Sequence, residues 1–151
     1  MNKAMVAAGC FWGVEEIFRT TSGVINTKVG YSGGNISSPT YEQVCNNDTG
    51  HAEVVLIEFD ESIYYESILN IFFESHNPTQ LNRQGPDVGT QYRSSIFYFD
   101  DTQKLTAENI LNTLQPKFNN KIVTEITEAS EFFIAEDYHQ EYVAKGGVCH
   151  F

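Results

Sequence analysis

A chain of 151 residues, 41% of them hydrophobic, carries enough apolar side chain for one core and too little length for two. Its 20 acidic against 9 basic residues leave a formal net charge of -11, which repels nucleic acid and anionic membranes, and no basic cluster offsets it. No apolar run approaches the roughly 20 residues that span a bilayer. The N-terminal residues also lack the apolar stretch of a signal peptide, so a cytoplasmic address is expected.

Residues 4–8 form a short apolar run of strand type that ends at Gly9. Cys10, Phe11, Trp12 and Gly13 follow, and residues 14–19 place Val14, Ile17 and Phe18 at helical spacing around Glu15 and Glu16. Thr21-Ser22-Gly23 reads as the stop of that helix. Residues 24–31 have the β-branched alternation of a strand, and residues 32–40 are turn-rich. Tyr41 and Cys45 lead to a second turn cluster at 46–50. The strongest strand is 51–60, apolar on both alternating faces and so covered on both sides. A helix over 64–75 groups Ile68, Leu69, Phe72 and Phe73 on one face and ends before Pro78. Residues 79–93 form a long polar loop of the kind that carries function. A strand at 94–99, a helix capped by Asp101 or Thr102, a strand at 122–128 and a polar helical stretch at 135–144 complete the pattern. The tail from about 145 to 151 holds Gly146 and Gly147 before Cys149, and a flexible leash is expected there. Strands and helices thus alternate irregularly, which predicts an α+β fold in a single domain over 1–151 with a mixed, largely antiparallel sheet.

The stretch 9–13 carries the most chemical information, because it sets one thiol at a strand-to-helix turn beside two large rings. A helix N-terminus offers unpaired N–H groups and positive dipole charge, both of which favour a thiolate nucleophile. Glu53 shares a strand face with Val55, Ile57 and Phe59, where loss of solvent raises a carboxyl pKa and makes a general acid. A strand-end position facing water is the alternative. Cys149 on its leash is a candidate partner for an oxidised Cys10. Cys45 has no flanking glycine and reads as a packed thiol, and Tyr138 and His139 are assigned a structural role. Tyr41, Asp87 and Tyr92 occupy loops, where site residues concentrate. With three scattered cysteines and neither C-x-x-C nor H-x-x-x-H, no metal site is expected, nor any cofactor. These residues suit a thiol-dependent redox enzyme, a cysteine hydrolase pairing Cys10 with a histidine, or a module in which Phe11 and Trp12 cage a ligand.

Longer strings narrow the choice. GCFWGVEE at 9–16, GYSGG at 30–34, PTYEQVC at 39–45, TGHAEVV at 49–55, PTQLNRQGPDVGTQYRS at 78–94 and AEDYHQ at 135–140 together resemble the A-type peptide methionine sulfoxide reductases. That resemblance implies a two-layer sandwich with a ferredoxin-like core and reduction of methionine S-sulfoxide, free or in oxidised proteins. It implies Cys10 as nucleophile, Phe11 and Trp12 as the pocket for the terminal methyl group, and Glu53 as the acid. Tyr41, Asp87 and Tyr92 match positions that hold the sulfoxide or assist its protonation, and Cys149 matches the resolving cysteine. Thioredoxin is the implied reductant, and the chain is expected to act as a monomer. Phe73, Asn77 and Ile134 depart from the common pattern without touching this chemistry.

Overall fold

Strand β1 (Asn2–Ala8) lies inside a six-stranded sheet, antiparallel to β3 (Ala52–Phe59) on one side and to β6 (Ser94–Tyr98) on the other. This is a computed structural model, and it describes residues 2–46 and 49–146. In chain order β1 is followed by α1 (Phe11–Arg19), β2 (Val24–Ser32), the short α2 (Tyr41–Cys45), β3, α3 (Tyr65–Glu74), and a hairpin of β4 (Arg83–Gln84) and β5 (Asp87–Val88). Then come β6, α4 (Asp101–Leu114), β7 (Glu125–Glu128) and β8 (Phe133–Ile134). The spatial order is β7-β6-β1-β3-β2-β8, and only the β6–β7 pairing is parallel. Within it β1-α1-β2-β3-α3-β6, in the order β6-β1-β3-β2, is a ferredoxin-like split β-α-β core.

Strand alternation explains the two layers. Ala4, Val6 and Ala8 face α1, α3 and α4, where they pack with Phe11, Val14, Phe18, Ile68 and Phe72. Met5 and Ala7 point the other way, onto Ala52, Val54 and Phe97, and Ala129 and Phe132 pack over that second cluster. Both faces of β3 are therefore covered, as its two-sided apolar pattern requires. Truncating a fully buried anchor such as Phe72 would remove about 3–5 kcal/mol through lost burial and the cavity left behind.

The helix α3 ends at a polar joint with the sheet. His76 donates from Nδ1 to the Phe72 carbonyl at 2.8 Å, and its Nε2 accepts from Ser94 Oγ at 2.7 Å. Burial pushes the imidazole pKa down to about 4, against a hydrogen bond to Phe72 that favours the cation. A depressed histidine binds its proton more readily in the unfolded chain. Its contribution is therefore complete above pH 6.5 and is lost as pH falls toward 4. We expect unfolding free energies from urea titrations to fall across that window, by up to about 3 kcal/mol, and a His76→Gln chain to show a flatter profile.

Several local expectations are revised. The first helix begins at Phe11, so both aromatic rings after Cys10 lie in its first turn, and β7 begins at Glu125 rather than 122. Asp100 caps α4, accepting from Gln103 N–H at 2.8 Å. Residues 135–144 do not form a helix: one 3-10 turn spans Asp137–His139 and Glu141 has φ of 51°. That backbone bonds outward instead, since Ala135 N–H donates to Val29 O at 2.9 Å and the Gln140 amide also pairs with Val29. Residues 147–151, and Cys149 with them, lie outside the described part of the chain.

Candidate active site

Gly9 turns the chain from β1 into α1 with φ of +97°, a conformation side chains disfavour. A Cβ there would stand 2.9 Å from the Cβ and Cγ of Gln84, so the glycine also admits the β4–β5 hairpin against the turn. Cys10 is the N-cap residue of α1 and is half-buried. Its side chain makes no capping hydrogen bond, and the thiol sits at the positive end of a nine-residue helix, where an anion is favoured.

Glu53 provides the acceptor that the helix start lacks. Its Oε1 accepts from the Phe11 N–H at 3.2 Å, and the residue is only 1% exposed. The strand-end alternative is thereby excluded, because Glu53 stands opposite Tyr31 in the β2–β3 register on the helix-covered face. The carboxyl thus lies at the first residue of α1, directly after Cys10 in the chain.

Three phenols surround this pair. Burial first, and then the Glu53 charge, push the Tyr41 and Tyr92 hydroxyls above the ordinary tyrosine range. Burial does the same for Tyr31, which donates to Glu136 Oε1 at 3.0 Å. All three keep their protons near neutrality and act as hydrogen-bond donors. Tyr92 also feels Asp87 and Cys10, so the loop pair Asp87 and Tyr92 and the sheet residue Glu53 converge on one cleft.

The aromatic wall is built by α1 and the segment after β8. Phe11, 1% exposed, stands 5.7 Å from Tyr31 and 6.4 Å from Tyr41, ring to ring. Trp12 stacks on Tyr142 at 4.0 Å, and its indole N–H donates to His139 Nδ1 at 2.8 Å. His139 is fully buried, and burial holds its pKa below the usual value against the opposing Glu136 charge. The ring is therefore neutral, with the proton on Nε2. The structural role assigned to His139 thus becomes a position in the site wall, whereas Tyr138 is 59% exposed. We expect His139→Phe to lower kcat/KM about tenfold, mainly through KM, since one hydrogen bond fixing Trp12 is lost and its N–H is stranded. Steady-state kinetics checks this.

Glu136 and Cys45 also belong to this neighbourhood. Glu136 Oε2 accepts from the Tyr41 N–H at 3.1 Å; burial pushes this carboxyl up, and its hydrogen bonds outweigh that and hold it below its ordinary range. Cys45, expected as a packed thiol, is half-buried on α2 and hydrogen-bonded to Tyr41. Burial raises its pKa and Glu53 and Glu136 raise it further, so this thiol stays protonated. Its place follows from the capping box of Thr40 and Gln43, which makes 41–45 helical and turns Tyr41 and Cys45 to one side.

A thiol and a buried carboxyl at one helix start, ringed by protonated phenols and an aromatic wall, suit a thiol-dependent enzyme on an α+β scaffold. The family model described as peptide methionine sulfoxide reductase matches residues 2–150. The chain belongs to that family and is an enzyme of that class. It is 55% identical over 150 residues to the peptide methionine sulfoxide reductase MsrA of Methanosarcina acetivorans, covering 97% of this chain and 80% of that one. Saccharomyces cerevisiae Mxr1 in reduced form superposes with a TM-score of 0.92 at 38% identity, over 96% of this chain and 85% of Mxr1. Mxr1 in complex with Trx2 superposes at 0.66 with 26% identity, over 93% and 84% of the two chains.

Proposed function

We propose that Cys10 attacks the sulfur of methionine S-sulfoxide while Glu53 delivers a proton to its oxygen. A sulfoxide sulfur is a weak electrophile until its oxygen is protonated, so nucleophile and acid have to act on one substrate together. The contact of Glu53 with the Phe11 N–H supports this reading above all, because it sets the carboxyl beside the thiol's own helix start. Taking a carboxyl out of water favours its neutral, proton-donating form. Tyr41 and Tyr92 bind the developing hydroxyl, and Asp87 orients that loop side of the cleft. Phe11 and Trp12 enclose the methyl group, and a fixed methyl pocket opposite a fixed oxygen site selects one sulfoxide epimer.

The atoms balance as a thiol and a sulfoxide giving a sulfenic acid on Cys10 and methionine. Cys149 then attacks the sulfenic sulfur, forming a Cys10–Cys149 disulfide and releasing water. A thioredoxin-class dithiol reduces that disulfide by exchange, a step supported by the complex of the related yeast enzyme with Trx2. We read residues 1–151 as one catalytic domain, since one family match runs from 2 to 150, and as a cytoplasmic repair enzyme, since three widely spaced cysteines suit a reducing compartment better than a disulfide scaffold. Among the described residues no helix is long and apolar enough to cross a membrane.

The hydrolase alternative needs a histidine poised on Cys10. Among the described residues, His51 and His76 are held at both ring nitrogens by other partners, and His139 Nδ1 is taken by Trp12; His150 lies outside the described residues. A Cys149→Ser chain tests the cycle. It should release one methionine per chain at the parent rate and then slow sharply with thioredoxin as reductant. Sustained parental turnover with thioredoxin would remove Cys149 from the cycle.

A further inference from the structure

Trp12 is gripped from two sides by one short stretch of chain. His139 accepts from its indole N–H at 2.8 Å, and Tyr142 lies flat on its ring at 4.0 Å with 19° between the planes. Between those two residues the stretch is tied down twice. The Gln140 side chain bonds both the N–H and the carbonyl of Val29 at 2.9 Å, which fastens it to β2. Glu141 N–H then donates to Glu15 Oε1 at 2.7 Å, and Glu15 Oε2 accepts from the Thr27 hydroxyl at 2.9 Å. Glu15 is 1% exposed, has no part in the chemistry above, and stands three residues after Trp12 on α1. The helix that carries the indole therefore also carries the acceptor for the segment that covers it.

Glu141 is exposed and has φ of 51°, left-handed backbone that side chains disfavour. That turn sets where the next residue, Tyr142, comes down. We propose that Glu15 is a positioning residue for substrate binding: by accepting from Glu141 it holds the left-handed turn that lays Tyr142 on Trp12, and so keeps the indole set as a wall of the methyl pocket. The inference rests on the reading of Trp12 as that wall. Without the buried acceptor, Glu141 relaxes toward right-handed or extended backbone, and Tyr142 leaves the indole. Substrate then binds only the fraction of molecules in which the stack survives, so its apparent affinity falls by that fraction while the bound complex reacts as before. The signature is a change in half-saturation without a change in maximal rate.

Methionine release is followed in a single turnover without reductant, over a range of methionine sulfoxide concentrations. In Glu15→Ala the half-saturating concentration should rise about five- to tenfold, the population cost of an unsupported left-handed residue, and the saturated rate should stay within twofold of the parent. Trp12 is the chain's one tryptophan, so its emission reports the stack directly. In the alanine chain that emission should shift to the red and be quenched more strongly by acrylamide. Glu15→Gln should match the parent in rate, half-saturation and emission, because its amide oxygen accepts from Glu141 and its NH2 donates to Thr27. If the alanine chain fails to fold, Glu141→Pro answers the same question. It removes the N–H and forbids positive φ, while the extended backbone of Gln140, φ -71° and ψ 126°, already suits a residue before proline. The proline chain should reproduce the alanine result, and Glu141→Gly, which keeps both the N–H and the turn, should not. Unchanged half-saturation or unchanged quenching in the alanine or proline chain would overturn the lock alone, as would a glutamine chain as impaired as the alanine one. Trp12 emission that ignores saturating methionine sulfoxide in Cys10→Ser would overturn the reading of Trp12 as a pocket wall, and the proposal with it.

Discussion

Cys10→Ser should reduce no methionine sulfoxide above background, a loss of about 10⁴-fold or more, with its fold intact. The reason lies in both ionisation and bookkeeping of atoms. The helix start supplies roughly 0.3–1 kcal/mol of stabilisation to a nearby anion, enough to draw a thiol toward its thiolate but far too little to ionise a hydroxyl. A serine oxygen also has no sulfenic state to take up the substrate's oxygen, so the reaction lacks a product on the enzyme even if attack occurs. Cys10 is half-buried and makes no capping bond, so the substitution should shift the melting temperature by only a degree or two. Methionine yield by chromatography under excess dithiothreitol measures the effect. A binding module that uses Phe11 and Trp12 as a cage would keep its affinity in the same chain, and here binding without turnover is expected.

Glu53→Gln should slow methionine release in a single turnover by about 10²–10⁴-fold, the usual worth of a general acid. The amide is close in size to the carboxyl and its oxygen can still accept from Phe11, so the architecture around the helix start survives. The loss then reports proton delivery rather than folding. Tyr41 and Tyr92 keep their protons and still donate to the sulfoxide oxygen, which accounts for residual activity above the uncatalysed reaction. A glutamine chain that kept the parent single-turnover rate across neutral pH would remove Glu53 from the acid role.

Most of this site is legible in the sequence, for identifiable reasons. Gly9 and the lone thiol after it announce a sharp strand-to-helix turn, because backbone strain and close approach leave few residue choices there. The two-sided apolar pattern of β3 announces a covered strand, whereas spacing alone leaves Glu53, one residue from its start, open to either the covered face or a water-facing strand end. The segment from 135 to 144 was not legible as local structure. Its polar composition suits a helix, but its backbone and the Gln140 amide are taken by β2, a long-range pairing that periodicity does not register. With the helix went the faces it implied, so nothing in the spacing marked Glu136, and His139 was assigned a structural role.

In this mechanism the substrate's oxygen passes to Cys10 before any second thiol reacts. One equivalent of methionine sulfoxide added to Cys149→Ser, in the presence of a reagent that captures sulfenic acids, should yield one methionine and one adduct per chain, mapped to Cys10. An adduct on Cys45, or methionine released while Cys10 remains a thiol, would contradict it.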